Sequence, residues 1–373
     1  MKTLIIGAGA SGVVAAISLK EKHPDEEITI IEHLDKPLKK LLATGNGKCN
    51  LSNSKLELKN YRNYQYIAPI LKRYGFIYQR NFFKEIGVET KLVNNLLYPL
   101  SESAITVKDA LLNALEKENI KIKLNENLID YKVNPVKITV ITNKNKYIVD
   151  HLIIATGGAS SPKLGSTGEI FKILENHGYC LTPIAPGLVP IRTKENTKIL
   201  DGTRVKCSAS LYKNHSLIHK ESGEILFKSH GLSGILAMNL SSIIARANKY
   251  NYTIELDLLE DYKDRDVSDY ILAKGEDAFL HAFLHPNLVK YFKENKINPT
   301  FTKRLPFKFD SLGDFSTSQV TVGGVDFMDI GDNLMSKREH DVYFIGEVVD
   351  IDGPCGGYNL SWAFASALSL KYL

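Results

Sequence analysis

Cysteine is scarce in this chain: Cys49, Cys180, Cys207 and Cys355 are the four present among 373 residues. They show no CxxC spacing and no histidine-rich neighbour, which argues against a disulfide framework or a zinc site. Unbroken apolar runs of about 18 residues are missing, so no segment reads as a membrane span. Low-complexity tracts and internal repeats are missing too, which sets aside disordered and solenoid architectures. No Ser/His/Asp or Cys/His nucleophile pattern emerges, and no metal-ligand cluster. A large excess of one charge is also lacking: 47 basic residues face 42 acidic ones, for a net charge of +5. The basic groups are scattered among acids, so a nucleic-acid partner is not expected. The first strand pattern starts at residue 2 or 3 and leaves no room for a signal peptide, so a soluble, reducing, cytoplasmic protein is expected. Nothing in the sequence sets the oligomeric state.

What is present is an ordinary globular composition, 44% hydrophobic and 24% charged, in a chain long enough for two or three domains. Residues 3–6 read as a buried strand. Residues 11–22 read as a helix whose Val13, Val14, Ala16, Ile17 and Leu19 face a sheet, and 27–31 as a second strand ending at Glu32. This βαβ unit predicts an α/β fold with a doubly wound parallel sheet. Between its first strand and helix stands Gly7-x-Gly9-x-x-Gly12. Gly7 allows the tight turn, Gly9 lets backbone approach a pyrophosphate, and Gly12 permits close helix–strand packing. The helix start offers N–H groups and a positive dipole end to phosphates. Glu32 can accept hydrogen bonds from both ribose hydroxyls and repels a 2′-phosphate.

Other segments fit the same ligand. In Lys39–Asn53, glycines interleave with Thr44, Asn46 and Asn50, polar groups able to meet a flavin or its ribityl chain. Cys49, with no second cysteine near in sequence, reads as a buried structural thiol. Leu152–Ala155 is a strand ending in Thr156-Gly157-Gly158. After a strand at 342–345, Gly346-Glu347 brings an N–H and a carboxylate, with Asp350 and Asp352 as turn residues. Gly356-Gly357-Tyr358-Asn359 then opens a helix at 360–370 whose N–H groups can face the flavin pyrimidine. Together these features point to FAD rather than a soluble nicotinamide.

Elsewhere the pattern predicts a tyrosine-rich helical stretch at 62–86 and a helix at 109–118. Strands are expected at 120–124, 128–133 and 136–142, the last two joined by a hairpin across Asn134-Pro135, then one strand at 147–155 and a helix at 168–177. Around Pro183, Pro186 and Pro190 the character changes. The FAD-binding, Rossmann-like domain is therefore expected at 1–186 and 318–373. Residues 187–317 are expected as an inserted substrate or cap domain, β-rich over 187–257 and partly helical over 258–317. His230, in His230-Gly-Leu-Ser-Gly234, is the weak candidate for a catalytic acid or base, though a structural turn histidine is the plainer reading.

Taken in order, Gly7–Gly12, Lys40–Asn50, Ala155–Gly158, His230–Gly234, Gln319–Val325, Ser336-Lys337 and Gly346–Asn359 resemble the BaiN/YhiN-like (HI_0933-like) flavoprotein family of the glutathione-reductase-type FAD superfamily. The resemblance runs nearly end to end. It departs at Lys48, Asn46 and Ile235, where Arg, Gly and Pro are common, and the inserted domain is short. The resemblance implies a two-dinucleotide-binding FAD fold and oxidoreductase chemistry; members have been tied to reduction of steroid-like enones and oxidation of an aminoketone. The expected cofactor set is Gly7, Gly9, Ala10, Ser11, Gly12, Glu32, His33, Lys40, Leu41, Thr44, Gly45, Asn46, Gly47, Cys49, Asn50, Leu128, Ala155, Thr156, Gly157, Gly346, Glu347, Gly356, Gly357, Tyr358, Asn359 and Leu360, with no metal. The expected function is hydride transfer between a small organic substrate and flavin N5. No second GxGxxG occurs, so either NAD(P)H visits the flavin face transiently as a donor, or oxygen reoxidises the flavin. An RNA-modifying flavoprotein is the alternative; it predicts a concentrated basic face, which dispersed charge argues against. A non-catalytic redox module is a third.

Overall fold

A computed structural model describes residues 1–247 and 251–370. Residues 248–250 and 371–373, parts of the expected inserted and C-terminal ranges, lie outside the described residues. The chain divides into two compact units, Met1–Ala185 with Val320–Leu373, and Pro186–Gln319.

The first unit is built on a five-stranded parallel sheet. Its strands are β1 (Lys2–Ile6), β2 (Glu27–Glu32), β3 (Lys121–Leu124), β4 (His151–Ile154) and β5 (Val342–Phe344), in the order β5-β4-β1-β2-β3. Ile5, Ile6, Ile30, Ile31, Ile153 and Ile154 are buried, as a parallel sheet covered on both faces requires. Ile6 stands opposite both Ile31 and Ile154, and Ile154 opposite Phe344. The shared register makes the chain leave the sheet at one edge, so Gly7, Glu32, Ala155 and Ile345-Gly346 emerge together. Helix α1 (Ala10–Lys22) is buried continuously from Ser11 to Leu19. It packs on the C-terminal helix Tyr358–Ser369, whose end Lys22 fastens through the carbonyls of Leu368 at 2.7 Å and Leu370 at 2.9 Å.

Several local expectations are corrected. The stretch at 62–86 is two helices, α3 (Tyr64–Tyr74) and α4 (Phe76–Glu85), after the short α2 (Lys39–Ala43). They break at Gly75, where a Cβ would lie 2.3 Å from the Leu71 carbonyl oxygen. The helix expected at 109–118 starts at Ala104, because Ser103 caps it by accepting the Ile105 N–H. The strand expected at 147–155 is two: Lys146–Val149 in an antiparallel meander with Leu128–Val133 and Ile138–Thr142, and β4 in the parallel sheet. One apolar run crosses from one sheet to another, and local periodicity cannot show the change of partner. The hairpin across Asn134-Pro135 forms, with Val133 opposite Ile138.

The second unit is a closed six-stranded barrel of Ile191–Thr193, Gly231–Ser233, Ser216–Lys228, Arg204–Lys213, Tyr252–Asp257 and Leu305–Leu312, with helices at 264–294. Two of the strands are long, against the expected short ones. Gly234–Ala245 is a helix where strands were expected. Its Leu236, Ala237, Leu240 and Ile244 lie in the unit's core, and it is too apolar all round to display a helical stripe.

Candidate cofactor site

The glycine turn obeys distinct constraints at its three positions. Gly7 has φ +106°, and a Cβ there would lie 2.6 Å from the Ala155 carbonyl oxygen. A Cβ on Gly12 would lie 2.0 Å from the Gly7 carbonyl oxygen. Gly9 differs: a Cβ meets nothing within 4 Å. Packing thus demands glycine at 7 and 12, while at 9 the protein itself demands nothing. A residue kept small without a protein neighbour, at the start of α1, fits a cradle for a pyrophosphate.

Glu32, at the end of β2, is 8% exposed. One oxygen accepts the Ala8 N–H at 2.9 Å; the other accepts the Leu34 N–H at 3.0 Å and lies 3.1 Å from His33 Nδ1. Burial raises its pKa, but the bonds from His33, Leu34 and Ala8 outweigh burial and hold it below the usual carboxylate range. His33 is raised in turn by its bond to Glu32. The Glu126 N–H donates to the Glu32 carbonyl at 2.9 Å, two residues before the strand that Leu128 begins.

The 44–50 loop is wound left-handed at Gly45, Asn46, Gly47 and Cys49, with φ of +57°, +55°, +84° and +58°. For Asn46 and Cys49 this backbone is strained and needs support. Part of the support is Thr44, whose carbonyl accepts the Cys49 N–H at 3.0 Å and whose hydroxyl donates to the Leu41 carbonyl at 2.7 Å. Cys49 is fully buried and its thiol is pushed up to about 12 by burial, so it is not a nucleophile at neutral pH. The Asn50 amide, oriented to satisfy both ends, donates to the Ser52 carbonyl and accepts the Gly357 N–H.

The C-terminal loop closes on these parts. Gly346, at φ +71°, donates its N–H to Ser366 Oγ at 3.0 Å and accepts Trp362 Nε1 at 2.9 Å. A Cβ on Gly346 would lie 2.7 Å from Ser11 Oγ, so α1 and this loop meet. Glu347 pairs with Lys40 Nζ at 2.8 Å and accepts the Thr321 N–H at 2.7 Å. Thr321 Oγ1 in turn accepts the Ala159 and Ser160 N–H groups at 2.8 and 3.1 Å, fixing the turn after Thr156-Gly157. The Gly356 carbonyl accepts Asn53 Nδ2 at 3.0 Å, the Tyr358 carbonyl accepts Tyr61 Oη at 2.8 Å, and the Asn359 side chain bonds both backbone groups of Gly353. Leu360, the next residue of the helix, is half-buried. Asp350 and Asp352 lie outside helix and strand in this loop and are buried. The structure thus brings Gly7 to Ala155, Ser11 to Gly346, Lys40 to Glu347 and Asn50 to Gly357. Thr321, Ser366 and Asn53 were not foreseen; single hydroxyls and amides carry no sequence signal until the fold supplies their partners.

His230 lies in an exposed turn of the second unit, where its carbonyl accepts the Thr193 N–H at 3.3 Å. A cavity of about 480 Å³ in that unit, lined by Lys206, Ser222, Glu224 and Tyr262 among others, includes none of the expected residues. Among the described residues, no three His, Cys, Asp or Glu are grouped to hold a metal, and no helix is long and apolar enough to cross a membrane.

A parallel sheet, a glycine turn into α1, a carboxylate closing β2 and a C-terminal loop folded back onto both define the class: a Rossmann-type, FAD-binding fold. The chain belongs to the HI0933-like protein Rossmann domain family, which matches residues 1–370. It is 28% identical to the 3-dehydro-bile acid delta(4,6)-reductase of Clostridium scindens, covering 97% of this chain and 96% of that protein. It is 27% identical to the ribosomal RNA dihydrouridine synthase of Escherichia coli K12, covering 98% and 95%. In fold it is similar to the 3-ketosteroid delta1-dehydrogenase of Sterolibacterium denitrificans, with a TM-score of 0.54, 10% identity and 98% of each chain covered.

Proposed function

We propose that this flavoprotein saturates a carbon–carbon double bond conjugated to a carbonyl, a hydride being added at one carbon and a solvent proton at the other. One observation carries the reading: two full-length relatives have names with different substrates but one bond chemistry, saturation of an alkene conjugated to a carbonyl, in a 3-oxo steroid and in uracil. Bound FAD would supply a carrier that takes or gives hydride at N5. The rest is the work of this chain. Gly7, Gly9, Ala10, Ser11 and Gly12 hold the pyrophosphate against the start of α1. Glu32, with His33 beside it, holds the ribose. Lys40 fixes Glu347 through their ion pair while the loops at 44–50, 155–157 and 356–360 line the cofactor. NAD(P)H is the electron donor in this reading, visiting transiently, and the substrate is a small enone. Uracil in RNA is a second substrate, supported by the name of the Escherichia coli relative.

The test is anaerobic. The flavin of the purified protein is bleached with NADH or NADPH, and enones, their saturated ketones and an unmodified ribosomal RNA transcript are then added separately. Colour should return with an enone and not with its saturated partner. Reoxidation by oxygen alone would sink the proposal, and reoxidation by the transcript alone would move it to RNA.

A further inference from the structure

Composition suggested dispersed charge, but one segment concentrates it. From Leu58 to Lys84 there is no aspartate or glutamate, while Lys59, Arg62, Lys72, Arg73, Arg80 and Lys84 are present, more positive charge than the net +5 of the whole chain. All six are exposed. Ile67, Ile70, Leu71, Tyr74, Phe82 and Phe83 bury the opposite faces of α3 and α4, so the cationic faces are held outward. Lys59 pairs with Glu57, and Arg62 approaches Asp350 only to 3.9 Å. Among the described residues, no carboxylate pairs with Lys72, Arg73, Arg80 or Lys84.

Aromatic rings are exposed on the same two helices, where Arg73 but also Glu21 and Glu85 act on Tyr78. Tyr64, Tyr66 and Tyr78 are 46%, 49% and 41% exposed. Tyr66 is backed by Phe327, stacked at 4.7 Å and 4° from parallel, which makes it a rigid platform. The surface adjoins the cofactor loop: Tyr61 donates to the Tyr358 carbonyl at 2.8 Å, the Arg62 N–H to the Asp352 carbonyl at 2.9 Å, and Asn63 to the Asp350 carbonyl at 2.9 Å.

We propose that the outer face of α3 and α4 docks single-stranded RNA, with the cations on phosphates and the tyrosines under bases. Charge complementarity selects a polyanion, and exposed rings select one with unstacked bases. A lipid surface fits less well, because Gln65, Asn81 and the charges interrupt any apolar stripe. The inference deepens the reading above by naming a carrier for a reducible ring, and rests on that reading only for the cofactor's location.

The experiment uses the FAD-loaded protein without reductant and a fluorescein-labelled oligouridylate, read by anisotropy. With about four phosphates neutralised, affinity should fall roughly 50-fold between about 50 and 200 mM salt. Arg73→Glu with Arg80→Glu should weaken binding at least tenfold and flatten the salt slope. Tyr66→Ala should weaken it about tenfold and leave the slope unchanged. Flavin content and circular dichroism report whether each variant is folded. Wild-type affinity in the folded Arg73→Glu, Arg80→Glu protein overturns the proposal. So does binding to phosphatidylglycerol vesicles with none to RNA. Turnover of small enones is measured separately: its failure sinks the proposed reaction and leaves RNA binding standing, and the reverse holds too.

Discussion

Glu32→Ala separates two jobs that one carboxylate performs. In the protein alone, Glu32 clamps the Ala8 N–H and the Leu34 N–H, tying the glycine turn to the exit of β2. Removing it leaves two donors in a corner that is 8% exposed at Glu32. Each orphaned donor costs about 1–3 kcal/mol, less where water can reach it, so a stability loss of roughly 2 kcal/mol is expected. Toward FAD, the lost charged hydrogen bond costs about 1.5–3 kcal/mol, a roughly 10- to 150-fold weaker Kd. Glu32→Gln keeps an acceptor without the charge and should fall between. Thermal unfolding of the apoprotein reads the first job, and flavin-fluorescence quenching on titration with FAD reads the second. Because the carboxyl is held below its usual range, its contribution is complete above the unfolded value, about 4.3, and is lost as pH falls through the lower folded value. If Glu32→Ala lowers apoprotein stability but leaves FAD affinity within about twofold, the carboxylate is a clamp only and the ribose assignment is wrong.

The glycines give a sharper contrast. Gly9→Val should yield a folded apoprotein with wild-type melting but no retained FAD, whereas Gly12→Ala should fail to fold soundly, because its Cβ would lie 2.0 Å from a backbone oxygen; FAD retained by Gly9→Val contradicts the cradle. Cys49→Ser should keep most flavin reduction by a working donor, and a large loss of turnover with FAD still bound would reveal a chemical role for that thiol. His177 lies 2.9 Å from both Asp130 and Glu339, and although burial lowers its pKa, those carboxylates outweigh burial and raise it. Its stabilisation is therefore complete below about pH 6.5 and lost as pH rises through the raised folded value. Wild type should lose more melting temperature than His177→Gln across that window, and parallel pH profiles would refute this. Heat-released cofactor should co-migrate with FAD on chromatography, not with FMN.

The sequence by itself determined the first βαβ unit, because Gly7-x-Gly9-x-x-Gly12 and the buried isoleucine strands are local patterns: tight turns, close approaches and full burial each demand particular residues at fixed spacing. It also marked the loops at 44–50 and 346–359, where glycine clusters announce unusual backbone. It did not reveal that one apolar run at 147–155 serves two sheets, that Gly75 divides a helix, or that Gly234–Ala245 is a helix, since each depends on which distant surface covers the segment. Only the tertiary structure decided that Thr321 fixes the turn at 159–160, that Lys40 meets Glu347, and that Asp350 and Asp352 are buried. A hydrogen bond across hundreds of residues leaves no periodicity in the chain. The same reason hid the basic face of α3 and α4: composition counts charges, but burial of one helix side decides which charges stand together.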